Sequence, residues 1–228
     1  MNSIDIVAAI ASRDYDYVQS LIDDGMFEEV FDAALQVGNI EAIFMLPEEF
    51  IIQPGILNHV SQYLHIDDLQ IFINELSTYI PPYDEIWVGY IDWIVEMNDI
   101  QQLHIVIPYM DEQMMGYIVD KAIAARADSM LDQLVRWDLP NLRSIVEYAI
   151  QHNLVYLVKS INRFNDMTIV DDDLLMLITS PEMLRVVLSG PLILRDPDLV
   201  MYGYNSTMRD ILNDCLLVAQ MSSARIQD

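Results

Sequence analysis

Seven times along the chain a polar turn is followed by an acidic or polar residue and then an apolar stripe at helical spacing, and this recurrence constrains the fold most. The clearest instance is "VGNIEAIFML" at 37–46, where a Gly-Asn turn precedes Ile40, Ile43 and Leu46 while Glu41 faces away. Related stretches are "RDYDYVQSLI", "HIDDLQIFI", "NDIQQLHIVI", "ADSMLDQLV", "HNLVYLVKSI" and "SPEMLRVVL". Their central apolar residues are Val18, Ile43, Leu69, Leu103, Leu131, Leu157 and Leu184, separated by 25, 26, 34, 28, 26 and 27 residues. A second apolar segment precedes each one, such as "IDIVAAIAS", "EEVFDAALQV", "EIWVGYIDWIVEM" and "LRSIVEYAIQ". Each unit therefore reads as a helical hairpin. One hairpin cannot bury both of its faces, so the units are expected to stack on their neighbours.

Prolines punctuate the pattern. Pro47, Pro54, Pro81, Pro82, Pro108, Pro140, Pro191 and Pro197 fall between apolar segments, where a fixed φ and a missing N–H interrupt a helix. Pro181 falls at the start of one, a first-turn position that tolerates it. No segment alternates with period two over a strand's length, so the expected fold class is all-α.

Segments such as "AALQVGNIEAIFML" and "YAIQHNLVYLVKSI" resemble the middle of an ankyrin repeat, in which a helix ending in small residues meets a Gly-Asn-type turn and a second helix. The resemblance extends over residues 3–190. The Thr-Pro-Leu-His opening is absent from every unit, and most intervals are shorter than the usual ~33 residues, which leaves little room for the projecting β-finger. What the resemblance implies is an α-solenoid of seven stacked hairpins, ankyrin-like without clear β-fingers, serving as a protein–protein interaction module. Within residues 1–228, 1–120 form an acidic half, 121–197 a charge-balanced half, and 198–228 a terminal cap and frayed tail.

The net charge of -25 is unevenly placed. Residues 1–120 hold 22 acids against Arg13 alone, whereas 121–228 hold 14 acids and 10 bases. Such a field opposes direct binding to nucleic acid or an anionic membrane and favours a basic protein surface. Apolar residues make up 53% of the chain but no run reaches the ~18 that a membrane helix needs, and the N-terminus lacks a basic leader. An intracellular, cytoplasmic protein is expected. Lys121 and Lys159 are the only lysines, a composition that suits a host-directed factor avoiding ubiquitin attachment and equally suits simple compositional drift.

Phosphate-binding and zincin motifs are absent, and neither catalytic residues nor cofactor nor metal ligands are expected. Cys215 reads as a core thiol and His59 and His65 as surface groups. Asp171, Asp172 and Asp173 precede "LLMLIT" and read as a helix start. Trp87, Tyr90, Ile91 and Ile94 share a helical stripe and read as core. Around the first turn, Asp14, Tyr15, Asp16, Tyr17, Asp23, Asp24, Glu28 and Glu29 form the candidate partner-binding set, because exposed tyrosine beside carboxylate suits Arg and Lys. Two other readings fit the same charge. Four units at about 10 Å each span about 40 Å, over which duplex DNA carries about 24 charges, close to the count of 22, so the acidic half could mimic a nucleic acid. Alternatively the charge serves solubility only.

Overall fold

The apolar stripes and turn residues read above become helices in a computed structural model that describes residues 3–81, 84–137, 142–164, 171–189 and 204–224. Among these residues there are helices and connecting turns and no strand. The chain divides into two compact units, Met1–Met115 and Gly116–Asp228.

In the first unit, α1 (Ser3–Ser12), α3 (Phe27–Val37), α6 (Ile56–Val60) and α8 (Glu85–Met97) are the leading helices of the hairpins, and α2 (Tyr15–Asp23), α4 (Ile40–Phe44), α7 (Ile66–Leu76) and α9 (Ile100–Val106) follow them. A further turn, α5 (Glu48–Ile51), precedes α6. Helices pack within hairpins, α1 on α2, α3 on α4 and α8 on α9, and between them, α1 on α3, α6 on α8, α4 on α7 and α7 on α9. The "ILNHVSQYL" segment makes only the short α6 before turning, and α5 ahead of it was not anticipated. Pro47 caps α5 and Pro54 precedes α6, so the fixed φ of each proline chops this stretch into single turns.

Helix α10 (Glu112–Ala124) carries the division between the units. In the second unit lie α11 (Asp128–Val135), α12 (Arg143–Gln151), α13 (Val155–Phe164), α14 (Asp172–Met176), α15 (Pro181–Val187) and α16 (Ser206–Ala224). Here α12 packs on α13, α11 on α13, α13 on α15 and α15 on α16. Pro140, Pro191 and Pro197 lie outside the described residues, as does Pro82. Pro181 stands in the first turn of α15, where Ser180 Oγ accepts from the Met183 N–H.

The seven central residues sit on α2, α4, α7, α9, α11, α13 and α15. Val18, Ile43, Leu103, Leu131, Leu157 and Leu184 are fully buried, and Leu69 is 1% exposed. Trp87, Tyr90, Ile91 and Ile94 are buried along α8. The Trp87 Nε1–H reaches the Ile80 carbonyl at 3.4 Å, and the Tyr90 hydroxyl donates to Oε1 of the buried Gln102 at 2.6 Å, so both polar tips are satisfied inside the core. Cys215 on α16 is half-buried rather than a core residue; the apolar face of that helix is carried by the buried Met208 and Leu212.

A single backbone device turns most hairpins. Arg13, Gly38, Asn98, Arg126 and Asn153 each take a left-handed conformation, with φ of 59°, 68°, 51°, 55° and 55°. Each N–H bonds the carbonyl three residues back and the next N–H the carbonyl five back, as in Arg13 to Ile10 at 3.2 Å and Asp14 to Ala9 at 2.9 Å. This is the Schellman closure of the leading helix. The residue after the turn then opens the second helix. Asp14, Asn39 and Asp99 do so with side-chain caps, accepting from the N–H groups of Tyr17, Ala42 and Gln101. One dipeptide thus both ends a helix and starts another.

Side-chain ties recur at about the repeat interval. In the first unit Tyr15 donates to Glu41, and Asn39 Nδ2 reaches the Ile10 carbonyl at 3.0 Å. In the second, Tyr148 donates to Asp128 at 2.8 Å, Ser160 to Asp132, Asn162 to the Val186 carbonyl at 2.8 Å, and Arg143 pairs with Asp171 at 2.7 Å. Tyr204 is buried and donates to the Leu175 carbonyl, which fixes the chain just ahead of α16.

Candidate functional site

The eight candidate residues cluster in sequence but occupy two ends of α2. Asp14 caps it and Asp16 lies in its first turn; Asp23 closes it and Asp24 is its C-cap, while Glu28 and Glu29 open α3. All six acids are exposed. With a rise of 1.5 Å per residue, Asp14 and Asp23 stand about 13 Å apart along the axis, so the acids form two groups separated by a helix length. Tyr15 and Tyr17 are half-buried, not exposed as expected. The reason is local for Tyr15: its hydroxyl turns toward α4, where Glu41 accepts its proton and Asn39 lies 3.5 Å away.

Most acids of the first 120 residues have a helical reason to be where they are. Of the 22, only Asp23, Asp24, Asp32, Glu75, Asp92, Glu96 and Asp120 stand away from a helix start. The other fifteen cap or occupy first turns, among them Asp84 ahead of α8 and Asp111 ahead of α10, where carboxylates meet unpaired N–H groups and the positive end of the macrodipole. Asp23, Asp24, Glu75 and Glu96 are at or near helix C-termini, where the same dipole opposes them.

Glu75 borders an open groove of about 830 Å³ in the first unit. One wall is a stripe of α7, Asp68, Ile71 and Glu75, continued by Tyr79; the facing wall is Glu41 and Phe44 of α4, and Arg13 stands at one end. The α7 stripe is separate from the helix's core stripe of Leu69, Phe72, Ile73 and Leu76. The core stripe joins the two helices: the Phe72 ring stacks on Phe44 at 5.2 Å between centroids. Ile71 and Tyr79 are 53% and 56% exposed, large apolar groups left in water on a groove wall. Arg13 approaches Glu41 at 3.9 Å, an exposed and weak pair.

Phe44 and Tyr79 also line a smaller hollow of about 180 Å³, together with Leu46, Glu48, Ile51, Ile52 and Leu76. Glu49 borders a third recess with Glu48 and Ile52. The geometry offers an apolar slot edged by carboxylates. Ile71, Glu75 and Tyr79 were not singled out from sequence, and Glu41 and Asp68 were not read as partner-binding residues. The legible signal was Ile71, an apolar residue lying off the i, i+3, i+4, i+7 stripe of its helix.

The acids at 171–173 act at a helix start. Asp171 caps α14 through the Leu174 N–H at 3.1 Å, and its carboxyl is held below the usual range by the Arg143 guanidinium that hydrogen-bonds it. Burial and the bond to Asp128 push Tyr148 up to about 12. Burial raises Tyr90 and Tyr204 as well. His59 and His65 are exposed, and His59 stacks on Phe31. Among the described residues no group of three or more His, Cys, Asp or Glu side chains could hold a metal ion, and no helix is long and apolar enough to cross a membrane.

Comparison with protein-family models, with curated proteins and with solved structures finds no match. The class defined by fold and surface is therefore that of a helical-hairpin protein with an acid-edged apolar groove in its N-terminal unit.

Proposed function

We propose that this chain is a non-enzymatic protein–protein interaction module, an ankyrin-like α-solenoid whose acidic N-terminal half docks a basic protein. The observation that carries the reading is the set of acids at Asp23, Asp24, Glu75 and Glu96, which sit where their helix dipoles oppose them; Asp23 is offset only by the Gln19 amide, which donates to it at 2.9 Å. A negative field kept at some local cost speeds encounter with a cationic partner. The stacking of alternate helices, the buried central residues and the repeated left-handed turns support the solenoid.

A pull-down from lysate at low and at moderate salt, with captured proteins identified, tests the proposal. The expected set is basic and is lost as salt rises. Capture of no basic protein at either salt would overturn the reading, and capture of nucleic-acid enzymes alone would favour mimicry instead.

A further inference from the structure

We infer that the groove between α4 and α7 takes a short basic segment of a partner protein, with one apolar side chain as anchor and arginine or lysine on both sides of it. The inference rests on the proposed basic-partner function and gives it a place. Charge complementarity and shape argue for the same occupant. The larger groove carries Glu41, Asp68 and Glu75 against the single guanidinium of Arg13, and Glu48 lines the hollow and, with Glu49 and Ile52, a further recess. The apolar hollow therefore shares lining residues with two recesses that both carry carboxylates, Phe44 and Tyr79 with one and Glu48 and Ile52 with the other. Its size suits one side chain: about 180 Å³ is near the ~150 Å³ of a cavity that accepts a benzene-sized group. A segment seated there covers Ile71 and Tyr79, which otherwise expose more than half of their surface. Glu75 then meets a cation where its own helix offers only the negative end of a dipole. A purely basic segment would leave the apolar slot wet, and an acidic or uncharged helix would meet unpaired carboxylates on both sides.

Selection of random peptides displayed on phage against the full chain tests this directly. The expected consensus is a leucine-, isoleucine- or phenylalanine-sized residue flanked on both sides by Arg or Lys. A synthetic peptide of that consensus, labelled for anisotropy, should bind at least about tenfold more weakly to the double variant Ile71→Gln, Glu75→Lys. Binding should change less than about threefold in the variant Asp23→Asn, Asp24→Asn, Glu28→Gln, Glu29→Gln, whose charges lie outside the groove. Replacing the peptide's anchor by glycine should itself cost about tenfold. Amide exchange on the unmodified protein, needing no variant, should show peptide-dependent protection in α4, α7 and the turn to Tyr79. Basic peptides lost from the second variant but not the first would overturn the groove assignment and leave the basic-partner reading standing. Protection elsewhere, or a consensus without an anchor, would do the same. No enrichment of basic peptides at all would overturn both.

Discussion

In Met1–Met115 and again in Gly116–Asp228 an arginine turns the chain from a leading helix into its partner: Arg13 after α1 at φ 59°, Arg126 after α10 at φ 55°. The residues that follow, Asp14 and Ala127, adopt nearly the same backbone, φ -79° and ψ 72° against φ -81° and ψ 65°. Val18 and Leu131, equally placed beyond the turns, are both fully buried. The electrostatics differ. Around the first turn the nearest opposite charge to Arg13 is 3.9 Å away at Glu41, and no other lysine or arginine occurs before Lys121. In the second unit Arg136 and Arg143 form pairs with Asp132 and Asp171 at 2.7 Å. The hairpin turn is thus built in the same way with or without balanced charge, so the seven acids of the first 120 residues that stand away from helix starts are not something the turn demands.

The comparison would break most readily at its shared element. Leu69→Ala and Leu131→Ala should each destabilise by about 2–5 kcal/mol, since both remove fully packed methyl groups. Denaturant unfolding followed by circular dichroism checks this, and a loss under about 1 kcal/mol in one unit would show that the buried residues are not equivalent. The charged ties of the second unit come next. Asp171→Ala should cost about 1–2 kcal/mol by removing the cap, while Asp171→Asn keeps a capping oxygen and should cost less. Because the folded carboxyl titrates below its unfolded value, its contribution is present above the unfolded pKa and lost as pH falls through the folded one. The Asp171→Ala deficit should therefore shrink in acid.

Tyr148→Phe should cost about 1 kcal/mol at neutral pH through the lost bond to Asp128. A phenol raised from 10.0 to about 12 stabilises the fold below its unfolded value, and that stabilisation disappears as pH rises toward 12. Unfolding midpoints measured between pH 9 and 12 should fall more steeply for the native protein than for the variant. The smallest effect compares the arginine turns themselves. Arg126→Gly should stabilise by about 0.5–1 kcal/mol, because glycine accepts the left-handed backbone freely. Arg13→Gly should gain nearly as much, losing only an exposed pair. A clear loss at position 13 would mean that Arg13 contributes more to its unit than its geometry indicates.

The helical class and the buried central residues were legible because both follow from spacing: Val18 through Leu184 recur at hairpin intervals, each on the buried stripe of its own helix. The left-handed turns were half legible. Gly38-Asn39 announces itself, whereas Arg13 and Arg126 hide the same backbone behind a side chain with no turn preference. The candidate site was harder to read. Asp14 to Glu29 are adjacent in sequence, and a helix length of separation is not visible in composition. The groove joins α4 to α7 and to Arg13, residues that share no motif and are brought together by packing such as that of Phe44 on Phe72. Tyr15 misled for a related reason, since its partners Asn39 and Glu41 lie a full repeat away.

That spacing has a bearing on how the chain reaches its fold. The tie from Tyr15 to Glu41 and the bond from Asn39 to the Ile10 carbonyl close loops of 26 and 29 residues and require nothing beyond α4. Contacts so short in sequence favour fast, sequential folding. The first two hairpins can lock together while later ones are still being synthesised, so an early-emerging acidic segment would leave the ribosome already ordered and screened by its own structure from misassembly with the apolar segments that follow.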